Sequence, residues 1–125
     1  MKLLLDTHIL LWVMQDAPQL GRPVRRLLND AEAIYVSSVS LWEISIKSAL
    51  GKLRVDQNEL DAQLDKMAFA PLPITWAHTR GLRKLPLLHG DPFDRMLVAQ
   101  AMSEPLHLLT RDAVLKTYSD LVIVV

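Results

Sequence analysis

Cysteine is missing from all 125 residues, which excludes disulfides and thiolate metal sites and fits a reducing compartment. An excess of either charge is missing too. Lys plus Arg and Asp plus Glu both total 14, so no overall basic field draws in nucleic acid and any such contact has to be local. No apolar run reaches the roughly 18 residues that a membrane span requires. The first residues, a single Lys followed by apolar and acidic positions, lack the organisation of a signal peptide. A cytoplasmic protein with no membrane association is expected. Aromatic residues make up only 6% of the chain while hydrophobic residues reach 50%, so an ordered protein with a mainly aliphatic core is expected. Repeats, linkers and low-complexity stretches are also absent, and the length suits a single domain over residues 1–125 rather than two domains.

What the chain does have is clear periodicity. Leu3, Leu4 and Leu5 form a short continuous apolar run, as in a strand buried on both faces, and the run stops at Asp6. A helix pattern over 9–14 follows, then another over 22–29 with Pro23 in its first turn, then a second buried strand over 33–36. Ser37, Ser38 and Ser40 offer caps for a strong helix over 39–50, which Gly51 stops where a left-handed residue is wanted. The pattern predicts a further helix over 58–70, a weak strand over 72–74 whose proline suits a sheet edge, and a helix over 75–85 that ends before Pro86. Asp91 caps the next helix, with Pro92 in its first position and Asp94 in its third, and that helix runs to about residue 102. A strand over 106–109, a short helix over 112–118 and a β-branched strand over 121–125 complete the chain. Strands that alternate with helices imply an α/β fold with a parallel sheet and helices on both faces.

In such a sheet the C-terminal ends of the strands share one edge with the first turns of the following helices, and ligands bind there. Four acids fall on that edge. Asp6 follows the first strand, Glu43 lies early in the helix after the second, Asp94 opens the helix before the 106–109 strand, and Asp112 follows that strand. Each alone has a plain alternative. Asp6 and Asp112 could cap helices, Asp94 could be an acid favoured by the helix dipole, and Glu43 could pair with Lys47 in a surface contact worth about 0.3–0.5 kcal/mol. Glu43, however, interrupts an apolar stripe of Val39, Trp42, Ile46 and Leu50, and Asp94 shares its face with Leu97, Val98 and Ala101. A carboxylate set in a core-facing stripe is costly unless it is paired or bound to a metal. Oxygen-only donors suit the hard ions Mg2+ and Mn2+. Zinc is disfavoured, because Cys is absent and His8, His78, His89 and His107 show no HxxxH spacing. An ion so held would stabilise charge on a phosphoryl oxygen and activate water, the chemistry of metal-assisted phosphodiester hydrolysis.

Four blocks carry these acids: LLLDTHILLW at 3–12, SVSLWEISIKSALGKL at 38–53, HGDPFDRMLVAQA at 89–101 and LLTRD at 108–112. In this order, over nearly the whole chain, they resemble the PIN domain and, within it, the VapC-type toxins. The resemblance implies a PIN-like α/β/α sandwich with a central, mainly parallel sheet. It implies an Mg2+- or Mn2+-dependent endoribonuclease whose catalytic and metal-binding residues are Asp6, Glu43, Asp94 and Asp112. It further implies the toxin of a toxin–antitoxin pair, with RNA as substrate and a small cognate antitoxin as inhibitor. Homodimers are common among such proteins, so a homodimer is expected.

Other residues keep two readings. Asp91 either caps its helix or supports the metal ligands, and Thr7 and Thr110 either orient ligands or substrate or act as local caps. His8 and His89 could meet a phosphate or be solvated. Arg22, Arg25 and Arg26, and likewise Arg80, Arg83 and Lys84, could track RNA phosphates, although a solvated face is the default. Trp12 and Trp42 could line an antitoxin groove or be buried in the core. Two rival functions stand beside the nuclease. One is a non-catalytic module whose acidic edge binds a basic partner, and the apolar stripes around Glu43 and Asp94 count against it. The other is a phosphohydrolase working through an aspartyl-phosphate, but Asp6-Thr7-His8 lacks the second acid of a DxD pair.

Overall fold

Leu3, Leu4 and Leu5 have no solvent exposure in the computed structural model, which describes residues 1–125. Their strand, β1 (Lys2–Leu5), is the middle of a five-stranded sheet and is covered on both faces. The other strands are β2 (Ala33–Ser37), β3 (Ala70–Leu72), β4 (His107–Thr110) and β5 (Val122–Val124), in the spatial order β3-β2-β1-β4-β5. Every pairing is parallel, with Leu5 opposite Val36 on one side and Leu109 on the other. Six α-helices connect the strands: α1 (Thr7–Gln15), α2 (Gly21–Asp30), α3 (Ser38–Ala49), α4 (Gln57–Lys66), α5 (Trp76–Lys84) and α6 (Pro92–Ser103). Successive side chains of a strand point to opposite faces. Leu5, Val36 and Leu109 therefore pack with Ile9, Leu10, Val24, Ile44 and Leu60 from α1 to α4, whereas Leu4, Leu108 and Val122 pack with Leu97, Val98 and Ala101 of α6. No helix is long and apolar enough to cross a membrane.

The predicted boundaries move most around the third strand. The helix expected over 58–70 stops at Lys66, because Ala68 turns left-handed at φ 54° with no glycine to announce it. The strand expected over 72–74 accordingly forms two residues earlier, with Tyr35 opposite Ala70 and Ser37 opposite Leu72, and it is the edge strand that its prolines suggested. The expected 112–118 helix is a 3-10 turn over Ala113–Thr117.

The order of the strands locates the functional edge. The chain steps outward from β1 to β2 to β3, then returns past β1 to β4 and β5, so its direction reverses between β1 and β4. At such a reversal the loops leaving adjacent strand ends run to opposite sides and open a crevice. Asp6 and Asp112 are carried by the two segments that flank it. The sheet must stay packed for this crevice to hold its shape, and Leu108, fully buried in β4, tests that dependence. Leu108→Ala should lower the unfolding free energy by about 2–5 kcal/mol in urea titrations. A loss below about 1 kcal/mol would mean the central strands are not tightly packed.

Candidate functional site

Asp6 stands at the mouth of the crevice with its backbone still in the ladder, its N–H donating to Leu109 O at 3.0 Å. The carboxylate is only 4% exposed and receives a hydrogen bond on each oxygen, from Ile9 N–H at 2.8 Å and from the Thr110 hydroxyl. That hydroxyl also accepts Asp112 N–H at 3.1 Å, so one side chain at the end of β4 ties the acid after β1 to the acid after β4. Asp112 in turn caps the 3-10 turn through Val114 N–H at 3.0 Å. Asp6, Asp94 and Asp112 line one cavity of about 480 Å3, together with His8, Trp12, Arg111 and Ala113.

Glu43 lies outside the lining of this cavity. It is 5% exposed, with one oxygen accepting from the Thr7 hydroxyl at 2.6 Å and the other from the Lys47 ammonium. The i+4 pair anticipated as a surface contact is thus the partner of a buried carboxylate, supplied by the chain itself. The stripe around Glu43 is also less buried than its sequence suggests, because Trp42 and Leu50 are 56% and 63% exposed. Trp42 is not a core residue. It meets Phe93 edge-on, with ring centroids 5.1 Å apart. Asp91 caps α6, its carboxylate accepting from Phe93 and Asp94 N–H at 2.8 and 3.0 Å.

His89, whose role the sequence leaves open, joins the acids. Its Nδ1 accepts Asp91 N–H at 2.9 Å, which puts the ring hydrogen on Nε2. Nε2 donates to Asp112 at 2.7 Å and lies 3.9 Å from Asp94. Donor atoms of His89, Asp94 and Asp112 all fall within 4.8 Å of one another, a spacing that could hold an ion. A metal-binding imidazole, however, donates from its other nitrogen to an acceptor. Here that nitrogen accepts, so His89 is built to hold Asp112 rather than to ligate.

A family model for the PIN domain matches residues 3–121. The chain belongs to the PIN domain family. No curated protein is similar to it at a significant level. Similar solved structures include VapBC2 from Rickettsia felis bound to a DNA fragment from its promoter, 19% identical with a TM-score of 0.73 over 100% of this chain and 98% of that one. DNA-bound VapBC from Salmonella typhimurium is 16% identical, with a TM-score of 0.69 over 100% and 97% of the two chains. A toxin–antitoxin complex from Klebsiella pneumoniae is 18% identical, with a TM-score of 0.65 over 96% and 94%. At these identities the likeness establishes the fold.

Within this PIN domain Asp94 is the acid least provided for. No N–H or O–H donates to its carboxylate, and His89 at 3.9 Å is its only close ion-pair partner. Burial, then the charges of Asp91, Asp6 and Glu43, push its pKa up to about 7 against the opposing influence of His89. Burial also raises Asp6, opposed by its bonds from Thr110 and Ile9. Lys47 is raised in turn by its hydrogen bond to Glu43 and by the charges of Glu43, Asp91 and Asp94. Oxygen donors with more negative charge than the protein itself compensates fit a hard divalent cation. Two contributors were not singled out in the sequence, the His89 bond to Asp112 and Arg111 seated over Trp12. Both residues lie inside the quoted blocks, but no spacing rule assigns them a role.

The raised pKa of Asp94 has a definite sign. Between the ordinary carboxylate value of 3.8 and about 7, the folded protein keeps a proton that the unfolded chain has released, so stability falls as pH rises through that window. Asp94→Asn should remove this fall. In chelator its melting temperature should match or exceed the parent's at about pH 8, and the advantage should vanish towards about pH 4. A variant less stable than the parent at both ends would make Asp94 a helix-dipole acid instead.

Proposed function

We propose that this PIN domain is a divalent-cation-dependent endoribonuclease acting as the toxin of a toxin–antitoxin pair. PIN domains are nucleases, which supplies the general class of activity. The observation that carries the reading is the cavity walled by Asp6, Asp94 and Asp112, in which Asp94 has no hydrogen-bond donor and a pKa near neutrality. Those three acids would hold Mg2+ or Mn2+, with Glu43 adding its charge to the field at Asp94. The bound ion supplies polarisation of a phosphoryl oxygen and activation of water.

The chain's own residues do the positioning. Thr110 fixes Asp6 relative to Asp112, and His89 holds one Asp112 oxygen through Nε2–H. Lys47 offsets the charge of Glu43, which lets the carboxylates gather with less mutual repulsion. RNA is the substrate in this reading. The cognate antitoxin inhibits by presenting a basic side chain, an Arg, whose charge takes the place of the ion. A homodimer is part of this reading, with the highly exposed Trp76 and Leu87 available to its contact.

The test is cleavage of a structured RNA by pure protein, in chelator and in excess Mg2+ or Mn2+. The parent should cut only with the ion, and Asp6→Asn and Asp94→Asn should fall to the level of the chelated parent, with Glu43→Gln nearly as damaging. Cutting by the parent in chelator would refute the metal-dependent reading, as would undiminished cutting by folded Asp6→Asn or Asp94→Asn.

A further inference from the structure

We propose that Arg111, seated on Trp12, is the contact through which the acidic cavity takes hold of single-stranded RNA; the inference rests on the nuclease reading above. The Arg111 guanidinium carbon lies 5.1 Å from the centroid of the Trp12 ring, and both residues line the cavity that Asp6, Asp94 and Asp112 wall. Three carboxylates share that cavity, yet Arg111 forms no ion pair with any of them, whereas Arg25 pairs with Asp16 and Lys47 with Glu43. Its side chain also donates no hydrogen bond within the protein. A guanidinium lodged among acids but held by an aromatic face keeps its N–H donors for a ligand.

The surrounding charge explains why such a residue is needed. An acidic cavity repels a phosphate backbone, and a chain with zero formal charge exerts no general attraction to offset it. Of the nearby cationic groups, Lys47 is committed to Glu43 and the His89 Nε2–H to Asp112. Arg111 is free, and it immediately precedes Asp112 in the chain, which places its charge beside the acids.

The geometry also selects the form of the nucleic acid. Held over the indole and exposed, the guanidinium keeps its donors for phosphate oxygens and brings a planar group that a base can stack on. Stacking on an arginine plane requires an unpaired base, because bases in a duplex are covered by their neighbours. Trp12 is the positioning residue here and Arg111 is the one that touches RNA. Exposed His8 lines the same cavity.

The experiment is an anisotropy titration with a fluorescein-labelled single-stranded RNA and with a blunt duplex of the same sequence. It is run in chelator on the parent, Arg111→Ala, Arg111→Lys, Trp12→Ala and Trp12→Phe, with circular dichroism to verify folding. Cleavage of the single strand in excess Mn2+ is measured alongside. The parent should prefer the single strand. Arg111→Ala and Trp12→Ala should weaken single-strand binding roughly 5- to 150-fold, the range found when a stacking partner is removed. Trp12→Phe should keep most of the affinity, and Arg111→Lys, which retains charge without the plane, should lose the preference over duplex. Parent-like single-strand binding by folded Arg111→Ala and Arg111→Lys overturns the proposal, and so does a parent that binds no single strand. If those two variants bind and cut as the parent does, the contact fails and the nuclease reading stands. If the parent binds through this pair but cuts nothing, the nuclease reading fails and the contact stands.

Discussion

Carboxylates brought together in a partly buried crevice repel one another, and each must also be compensated for leaving water. Asp6 feels the loss of water most directly, because it ends the central strand and is almost wholly enclosed, whereas the repulsion falls on Asp94. The chain answers with Ile9 N–H and the Thr110 hydroxyl, one bond to each oxygen. These bonds do more than solvate a charge. Thr110 belongs to the strand beside β1, so the bond that provides for Asp6 also locks the register of the two strand ends on which the crevice depends. The same hydroxyl accepts Asp112 N–H, so the spacing between the first and last acids follows from one threonine.

Compensation is uneven around the cluster. Glu43 has Lys47 and Thr7, Asp112 has His89 and Val114 N–H, and Asp91 is occupied with capping α6. Asp94 has none of these, and its displaced pKa records the shortfall. A group left in this state costs stability in the free protein, and a cation is the ligand that would recover that cost. In the proposed nuclease the shortfall is therefore useful. The same logic covers the proposed antitoxin, in which an arginine would meet the same surplus charge.

The elements that position the site were legible because their signals are local. Capping by Asp91, Pro92 in the first turn of α6, the leucine run of β1 and the stop at Gly51 each follow from a few adjacent residues. The end of α4 was not legible, because the left-handed residue there is Ala68, which carries no such mark, and β3 shifted with it. The partnership of Glu43 was visible only as an i+4 spacing. Its burial depends on Thr7 from another helix, which no periodicity reports. His89 kept two readings and Arg111 had none for a related reason: a bond spanning 23 residues exists only once α6 packs back along β4, and the contact with a tryptophan in α1 only once β4 lies beside β1.

The central claim is that the acids at the sheet's reversal form a divalent-cation site with Asp94 as its uncompensated member. Calorimetric titration of Mn2+ into the protein near pH 7, repeated in buffers of different ionisation enthalpy, tests it most directly because deprotonation of a ligand is counted along with binding. The account predicts saturable binding with net proton release near neutrality, and loss of that release in Asp94→Asn. Absence of saturable binding, or binding whose heat does not depend on the buffer, would contradict it.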